Sequence, residues 1–193
     1  HLLGLINDLL DLVRIDTNKN KVTYTDVDLK RFIEDTAATM HPQANEKDLA
    51  LTELISLPNG NLAVRWDESK MRQVLINLIA HAIKFTPHGG SITVTCCSAE
   101  GDMVEIKVID NGIGIEDDMK EQVFLAFEQA DNSYTRIYEG VGLGLAITRS
   151  IVSLHHGRVW IEDTAGGGTT VHMILPVDAE TTKEDDNAEN LGC

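Results

Sequence analysis

The sequence predicts an α/β fold in which amphipathic helices lie on a sheet, and two observations carry that reading. From Gln73 to Phe85 the apolar residues follow a helical period. Val74, Leu75, Leu78, Ile79, Ala82 and Ile83 form a broad stripe that would hold a helix against a sheet. Beyond it, residues 91–98 and 103–110 have strong β character and are joined by a short turn around Gly101.

The remaining elements follow in chain order. Residues 1–16 read as a helix: Leu2, Leu3, Leu5, Ile6, Leu9, Leu10, Leu12 and Val13 leave Asn7, Asp8, Asp11 and Arg14 for the other side. So wide an apolar face on a short helix suits a bundle. A polar linker occupies residues 17–21, and residues 22–25 alternate as a strand. Asp26 or Asp28 then caps a helix running from Leu29 towards Lys47, with Phe32, Ile33, Ala37 and Met40 inside and a kink expected at Pro42. Residues 49–57 and 61–66 read as two strands joined by the Pro58-Asn59-Gly60 turn. Asp67 caps the central helix, which Pro87 and Gly89-Gly90 end.

From Asn111 to Leu145 the chain is charged and punctuated by glycine, a long irregular stretch of the kind compact domains keep for function. A helix resumes over 143–154 and stops at Gly157. Residues 159–162 and 169–175 form a closing hairpin around Gly166–Gly168. After Pro176 the apolar pattern ends, and the acidic tail has the composition of a disordered linker.

Composition narrows the function. A chain of 193 residues holds one full domain and a smaller appendage, and 42% hydrophobic with 24% charged residues describes a soluble globular protein. No apolar run approaches the roughly 20 residues that span a bilayer. The opening residues lack the marks of a signal peptide, and a start without Met inside an amphipathic pattern reads as a piece of a longer protein. A net charge of -15 argues against a sequence-independent grip on nucleic acid. It also requires any polyanionic ligand to find a local pocket rich in cations and amides. Cys96, Cys97 and Cys193 have no metal-ligand spacing, and Cys96 and Cys97 read as reduced packing residues in a cytosolic setting.

Chemistry gathers around the central helix. Gln73, Asn77 and His81 recur every four residues and form one polar line, which Lys84 and Phe85 continue. Three glycine clusters follow: Asp110-Asn111-Gly112-Ile113-Gly114, Gly140-Val141-Gly142-Leu143-Gly144, and Gly166-Gly167-Gly168-Thr169. Glycine lets backbone approach a ligand closely. The second cluster leads into a helix whose N-terminal amides suit phosphate, and Arg136 just before it can neutralise a terminal phosphate. Asp110, at a strand end, can accept from an exocyclic amine, and Phe85 can lie against a ring. Phe124 and Phe127 read as packing residues, and Gly166–Gly168 reads equally as a hairpin turn or as support for a lid.

These stretches resemble the sensor histidine kinases. Residues 77–87 resemble the N box, 110–114 the first glycine box, 124–127 the F box, 140–144 the second glycine box, and Gly168-Thr169 the closing pair. Residues 5–16 resemble the second helix of the dimerisation hairpin. The resemblance implies a two-layer Bergerat sandwich, a mixed β-sheet with helices on one face, preceded by a helix of a dimerisation bundle. It divides the chain into that partial hairpin (1–17), an ATP-binding catalytic domain (18–177) and an acidic tail (178–193).

The resemblance implies ATP and Mg²⁺ as cofactors, a lid over about residues 116–140, and transfer of the γ-phosphoryl to a histidine on a missing helix. Relay to an aspartate of a response-regulator receiver domain would follow, from a homodimer joined through the N-terminal helix. This part of the protein would be cytoplasmic and would touch neither membrane nor nucleic acid. Asp110 would hold the adenine amino group and Phe85 the ring, while Lys84 and Arg136 would meet phosphates. Gly112, Gly114, Gly140, Gly142, Leu143, Gly144 and Thr169 would supply the cradle, with Asn77 and Gln73 near the metal–phosphate region. Related ATPases carry a water-activating glutamate where this chain has Asn77, and an amide cannot be that base.

Two departures stand out. The family's second N-box asparagine, its principal Mg²⁺ ligand, is His81 here, and imidazole suits softer ions than Mg²⁺. That favours a rival reading, a catalytically silent nucleotide-binding regulatory module. The second departure is the absence of a phospho-acceptor histidine followed by an acidic residue. His1 belongs to the second-helix pattern, and His41, His88, His155, His156 and His172 are read as structural residues of loops or surface. The chain alone is expected not to autophosphorylate.

Overall fold

The computed structural model describes residues 22–125 and 143–181. The elements run β1 (Thr25–Asp28), α1 (Leu29–Glu46), β2 (Ala50–Ser56), β3 (Ala63–Trp66), α2 (Glu68–Phe85), β4 (Ser91–Ala99), β5 (Met103–Asp110), α3 (Gly144–Leu154), β6 (Arg158–Asp163) and β7 (Thr169–Pro176). Short 3₁₀ turns lie at Pro58–Gly60 and Gln122–Phe124. The expected dimerisation helix, the linker after it, most of the lid and the tail beyond residue 181 lie outside the described residues.

Five strands form one mixed sheet in the order β2-β4-β5-β7-β6. β2 and β4 are parallel, and every other pair is antiparallel. All three helices contact this sheet, and α2 also packs on α1 and α3. Between the layers lie Leu75, Leu78, Ile79, Ile92, Ile106, Ile147, Met173 and Leu175, each almost wholly buried. The apolar stripe of α2 is buried along its length, while Gln73, Asn77 and His81 remain partly exposed. One face of the helix anchors it and the other is left for chemistry.

Several expectations need correction. The first strand covers Thr25–Asp28 rather than 22–25, because Asp28 is both the last strand residue and the cap of α1. Its extended backbone (φ -72, ψ 103) suits both roles, and its Oδ1 accepts from the Arg31 amide at 2.9 Å. α1 runs from Leu29 to Glu46 with Pro42 inside it, as its periodicity leads one to expect. The two strands joined by the Pro58–Gly60 turn form as expected, but they go to different sheets: β2 pairs with β4, while β3 pairs with β1 in register Thr25↔Trp66. Alternation marks a strand but not its neighbour.

Burial also extends past Pro176. The Arg65 amide donates to Val177 O at 2.7 Å, the Ala179 amide to Arg65 O at 3.3 Å, and Ala179 is buried. The first residues assigned to the acidic tail therefore lie along β3. Nor are all the histidines at the surface, since His155 is fully buried at the end of α3 and His172 is buried in β7, stacked on Trp160.

Candidate functional site

The site is built where α2, the loop after β5, the start of β7 and the start of α3 meet. Asp110 is the last residue of β5 and is 6% exposed. Its Oδ1 accepts from the Gly112 amide at 2.8 Å and the Thr169 amide at 3.1 Å. Burial raises its carboxyl above the ordinary range, and those two amides oppose the rise. Both bonds fall on one oxygen, so the other can face a ligand donor.

Glycine makes this geometry possible. A Cβ at Gly168 would lie 2.1 Å from the Asp110 carbonyl oxygen, and one at Gly112 would lie 2.6 Å from Phe85 O and 2.7 Å from Asp110 Oδ1. Gly168 also holds φ at +106. It is thus more than a hairpin turn: it sets β7 against the carboxylate. The Ile113 amide donates to Phe85 O at 3.3 Å, joining the first glycine loop to the end of α2.

Along α2 the polar line faces the start of α3. Asn77 Nδ2 donates to Gly144 O at 3.3 Å. Leu143 caps α3 without a side-chain hydrogen bond, and the first-turn amides carry the positive end of the helix dipole. One turn after Asn77, the His81 ring lies 4.6 Å from the Phe85 ring at a 50° tilt. Burial, then the charge of Lys84, pushes the His81 imidazole down to about 4, so it is neutral at pH 7. Lys84 Nζ sits 4.9 Å from the Phe85 ring centroid, and burial lowers its pKa.

The fold thus brings together Gln73, Asn77, His81, Lys84, Phe85, Asp110, Gly112, Gly114, Leu143, Gly144 and Thr169. Arg136, Gly140, Gly142 and Phe127 lie outside the described residues. Phe124 is buried under Arg149, whose guanidinium carbon is 5.8 Å from the ring centroid. Sequence reasoning gave Asn111 no role of its own. Its Oδ1 accepts from the Ser91 amide at 2.8 Å and pins the first glycine loop to β4, a contact across 20 residues that no local pattern shows.

A family model described as histidine kinase-, DNA gyrase B- and HSP90-like ATPase matches residues 66–179, the span that holds every one of these elements. The chain belongs to this ATPase family. Among its relatives are several histidine kinases. The circadian input-output histidine kinase CikA of Synechococcus elongatus is 39% identical over 176 residues, covering 91% of this chain and 23% of CikA. Full-length ShkA, solved in complex with AMPPNP, matches with a TM-score of 0.81 and 31% identity over 91% of this chain and 36% of that one. Histidine kinase ThkA, solved in complex with the response regulator protein TrrA, shares the fold at a TM-score of 0.72 and 24% identity, covering 93% and 50% of the two chains.

This chain spans between 21% and 34% of the length of three curated relatives it matches. Its mixed-sheet sandwich is that of histidine-kinase catalytic domains, and the silent-module alternative finds no support among these relatives. Among the described residues no helix is long and apolar enough to cross a membrane.

The side chains fit ATP, the family's nucleotide. A buried carboxylate with one oxygen to spare, two glycines that let backbone close on Asp110, and a helix N-terminus whose cap residue, Leu143, makes no side-chain hydrogen bond match adenine at one end and phosphate at the other. For Mg²⁺ the donor set is thinner. Asn77 commits its amide nitrogen to Gly144 O, leaving its oxygen as a hard ligand, whereas His81 offers a nitrogen that suits other metals.

Proposed function

We propose that this chain binds Mg·ATP and presents its γ-phosphoryl to a histidine on a dimerisation helix, for relay to a response-regulator aspartate. The observation that carries the reading is the Asp110 carboxylate, clasped by the Gly112 and Thr169 amides on the sheet side of α2. Asp110 accepts from the adenine amino group, and Phe85 lies against the ring. Gly112, Gly114 and Thr169 line the base end, while Lys84 and Arg136 take phosphates. The α3 amides after Leu143, with Gly140, Gly142 and Gly144, form the phosphate cradle. Asn77 would hold Mg²⁺, assisted by Gln73, and the ion would neutralise phosphate charge when bound.

Asn77 also sets the type of reaction. An amide cannot take a proton from water, so this site holds ATP for transfer and is a poor hydrolase. The catalytic assembly is a cytoplasmic homodimer joined through residues 1–17, and its partner is a receiver domain.

The test is phosphotransfer from γ-labelled ATP in a chain that carries the complete dimerisation hairpin. Label on a histidine, lost on adding a receiver domain, supports the proposal. Release of free phosphate with no labelled protein would show a hydrolase, and failure to bind nucleotide would remove the reading altogether.

A further inference from the structure

The end of α2 raises a hydrogen-bonding problem that its own sequence cannot solve. A helix leaves its last carbonyls without intrahelical partners, and these are usually met by a left-handed residue just beyond the end. Here Thr86 leaves the helix in an extended conformation (φ -85, ψ 128), as a residue before proline is pushed to do. The donor that would have reached Ile83 O belongs to residue 87, which is proline and has no N–H. This end of the helix carries Lys84 and Phe85, the two side chains aimed at the nucleotide.

A residue 36 positions upstream of Ile83 solves the problem. Lys47, just past the end of α1, donates from its ammonium to Ile83 O at 2.7 Å, Thr86 O at 2.8 Å and Lys84 O at 3.0 Å. The one carbonyl in this run that Lys47 leaves, Phe85 O, is taken by the Ile113 amide of the first glycine loop. Four consecutive carbonyls are thus divided between a single cation and the loop beside Asp110. The Lys47 backbone belongs to the same knot, because its own carbonyl accepts from the Gly89 amide at 3.3 Å. A positive charge at this helix end also matches the negative pole of the dipole.

We propose that Lys47 is a positioning residue for nucleotide binding. By holding the last turn of α2 in place of the donor that Pro87 lacks, it fixes the direction in which Lys84 and Phe85 project. Through Phe85 O it also fixes the seat of the Gly112–Gly114 loop. The ammonium suits the task because three rotatable N–H bonds converge from one point, whereas a guanidinium is a flat fork. The inference rests on the nucleotide reading of the site.

The test compares the chain with Lys47→Met, which keeps the aliphatic stem, and Lys47→Arg, which keeps the charge. ADP affinity is measured by calorimetry, at a temperature where circular dichroism shows each variant folded, together with hydrogen exchange at the Ile113 amide. Lys47→Met is expected to weaken ADP binding about 10-fold or more and to speed Ile113 exchange, with Lys47→Arg recovering part of both. If Lys47→Met does not fold, Lys47→Arg carries the test through the same two readouts. A folded variant with a lower melting temperature but wild-type ADP affinity and Ile113 exchange would overturn the inference. If the unaltered chain binds no ADP, the nucleotide reading fails first, and the two failures are told apart.

Discussion

The backbone amide of Asp67 donates to Nε2 of His155 at 3.0 Å, joining the first residue of one site helix's frame to the last of the other's. Asp67 caps α2 through Lys70 N and also accepts from the Thr23 amide at 3.0 Å. His155 ends α3, and its Nδ1 donates to Ile151 O at 2.8 Å. Both ring nitrogens are therefore committed, and the ring must be neutral for Nε2 to accept.

This pair predicts loss of stability in acid. Burial is the main force holding the His155 imidazole below its ordinary 6.5, aided by Lys70 and His156 and opposed by the Ile151 carbonyl and Asp67. A histidine whose folded pKa is depressed contributes its full stability above the unfolded value and loses it as pH falls towards the folded one. Urea midpoints should therefore fall as pH drops below about 6.5. His155→Gln, which keeps an acceptor for Asp67 N, should flatten that slope. His155→Ala should cost about 1–3 kcal/mol at neutral pH for the orphaned amide alone, before any cavity is counted.

Asp110→Asn should separate binding from stability. The amide can still accept from Gly112 and Thr169, and it removes a buried charge whose raised pKa marks it as a cost to the fold at neutral pH. The melting temperature should hold or rise. Nucleotide affinity should drop about 10–100-fold, because an NH₂ group would then meet the adenine amine in place of an oxygen. Differential scanning calorimetry beside ADP titration checks both halves.

His81→Asn should strengthen the metal dependence of nucleotide binding. It puts a hard amide oxygen, one helical turn from Asn77, where a neutral imidazole now stands. The affinity gain for an ATP analogue on adding Mg²⁺ should grow by about 10-fold or more. Titrations of both proteins with and without the ion read this directly, and an unchanged Mg²⁺ effect would show that His81 lies off the metal path.

Gly168→Ala and Gly166→Ala make a matched pair. Both glycines have positive φ, +106 and +92, but only Gly168 faces backbone within 4 Å. Gly166→Ala should show the strain of the backbone alone, about 1–3 kcal/mol. Gly168→Ala adds a collision with the Asp110 carbonyl and should cost clearly more, with loss of ADP binding. Chemical denaturation of the two variants gives the comparison.

What the sequence disclosed was local. The stripe and polar line of α2, its Asp67 cap and the clustering of glycine beside Asp110 are set by spacing within a few residues, and the fold bears them out. What it concealed was distant pairing. Neither the separation of β2 from β3 nor the burial of His155 has any trace in the residues nearby. The contact between Asp67 and His155 spans 88 residues. Lys47 was hidden for the same reason, since a lysine at a helix end looks like solvated surface until its carbonyl partners are known.

β3 has a further consequence. Asp26 of β1 lies opposite Arg65 on one side, and Asp178 bridges to Arg65 on the other. The way into the domain and the way out of it therefore flank one strand, two strand spacings or about 10 Å apart. A tension applied between residues 22 and 181 would be borne by β1, β3 and residues 177–179, with the side chain of Arg65 tied to both Asp26 and Glu180 as a rivet. The same path reaches the working parts, because Asp67, the residue after β3, both accepts from the Thr23 amide and caps α2, so a pull on the entering chain is felt at the nucleotide helix through one carboxylate.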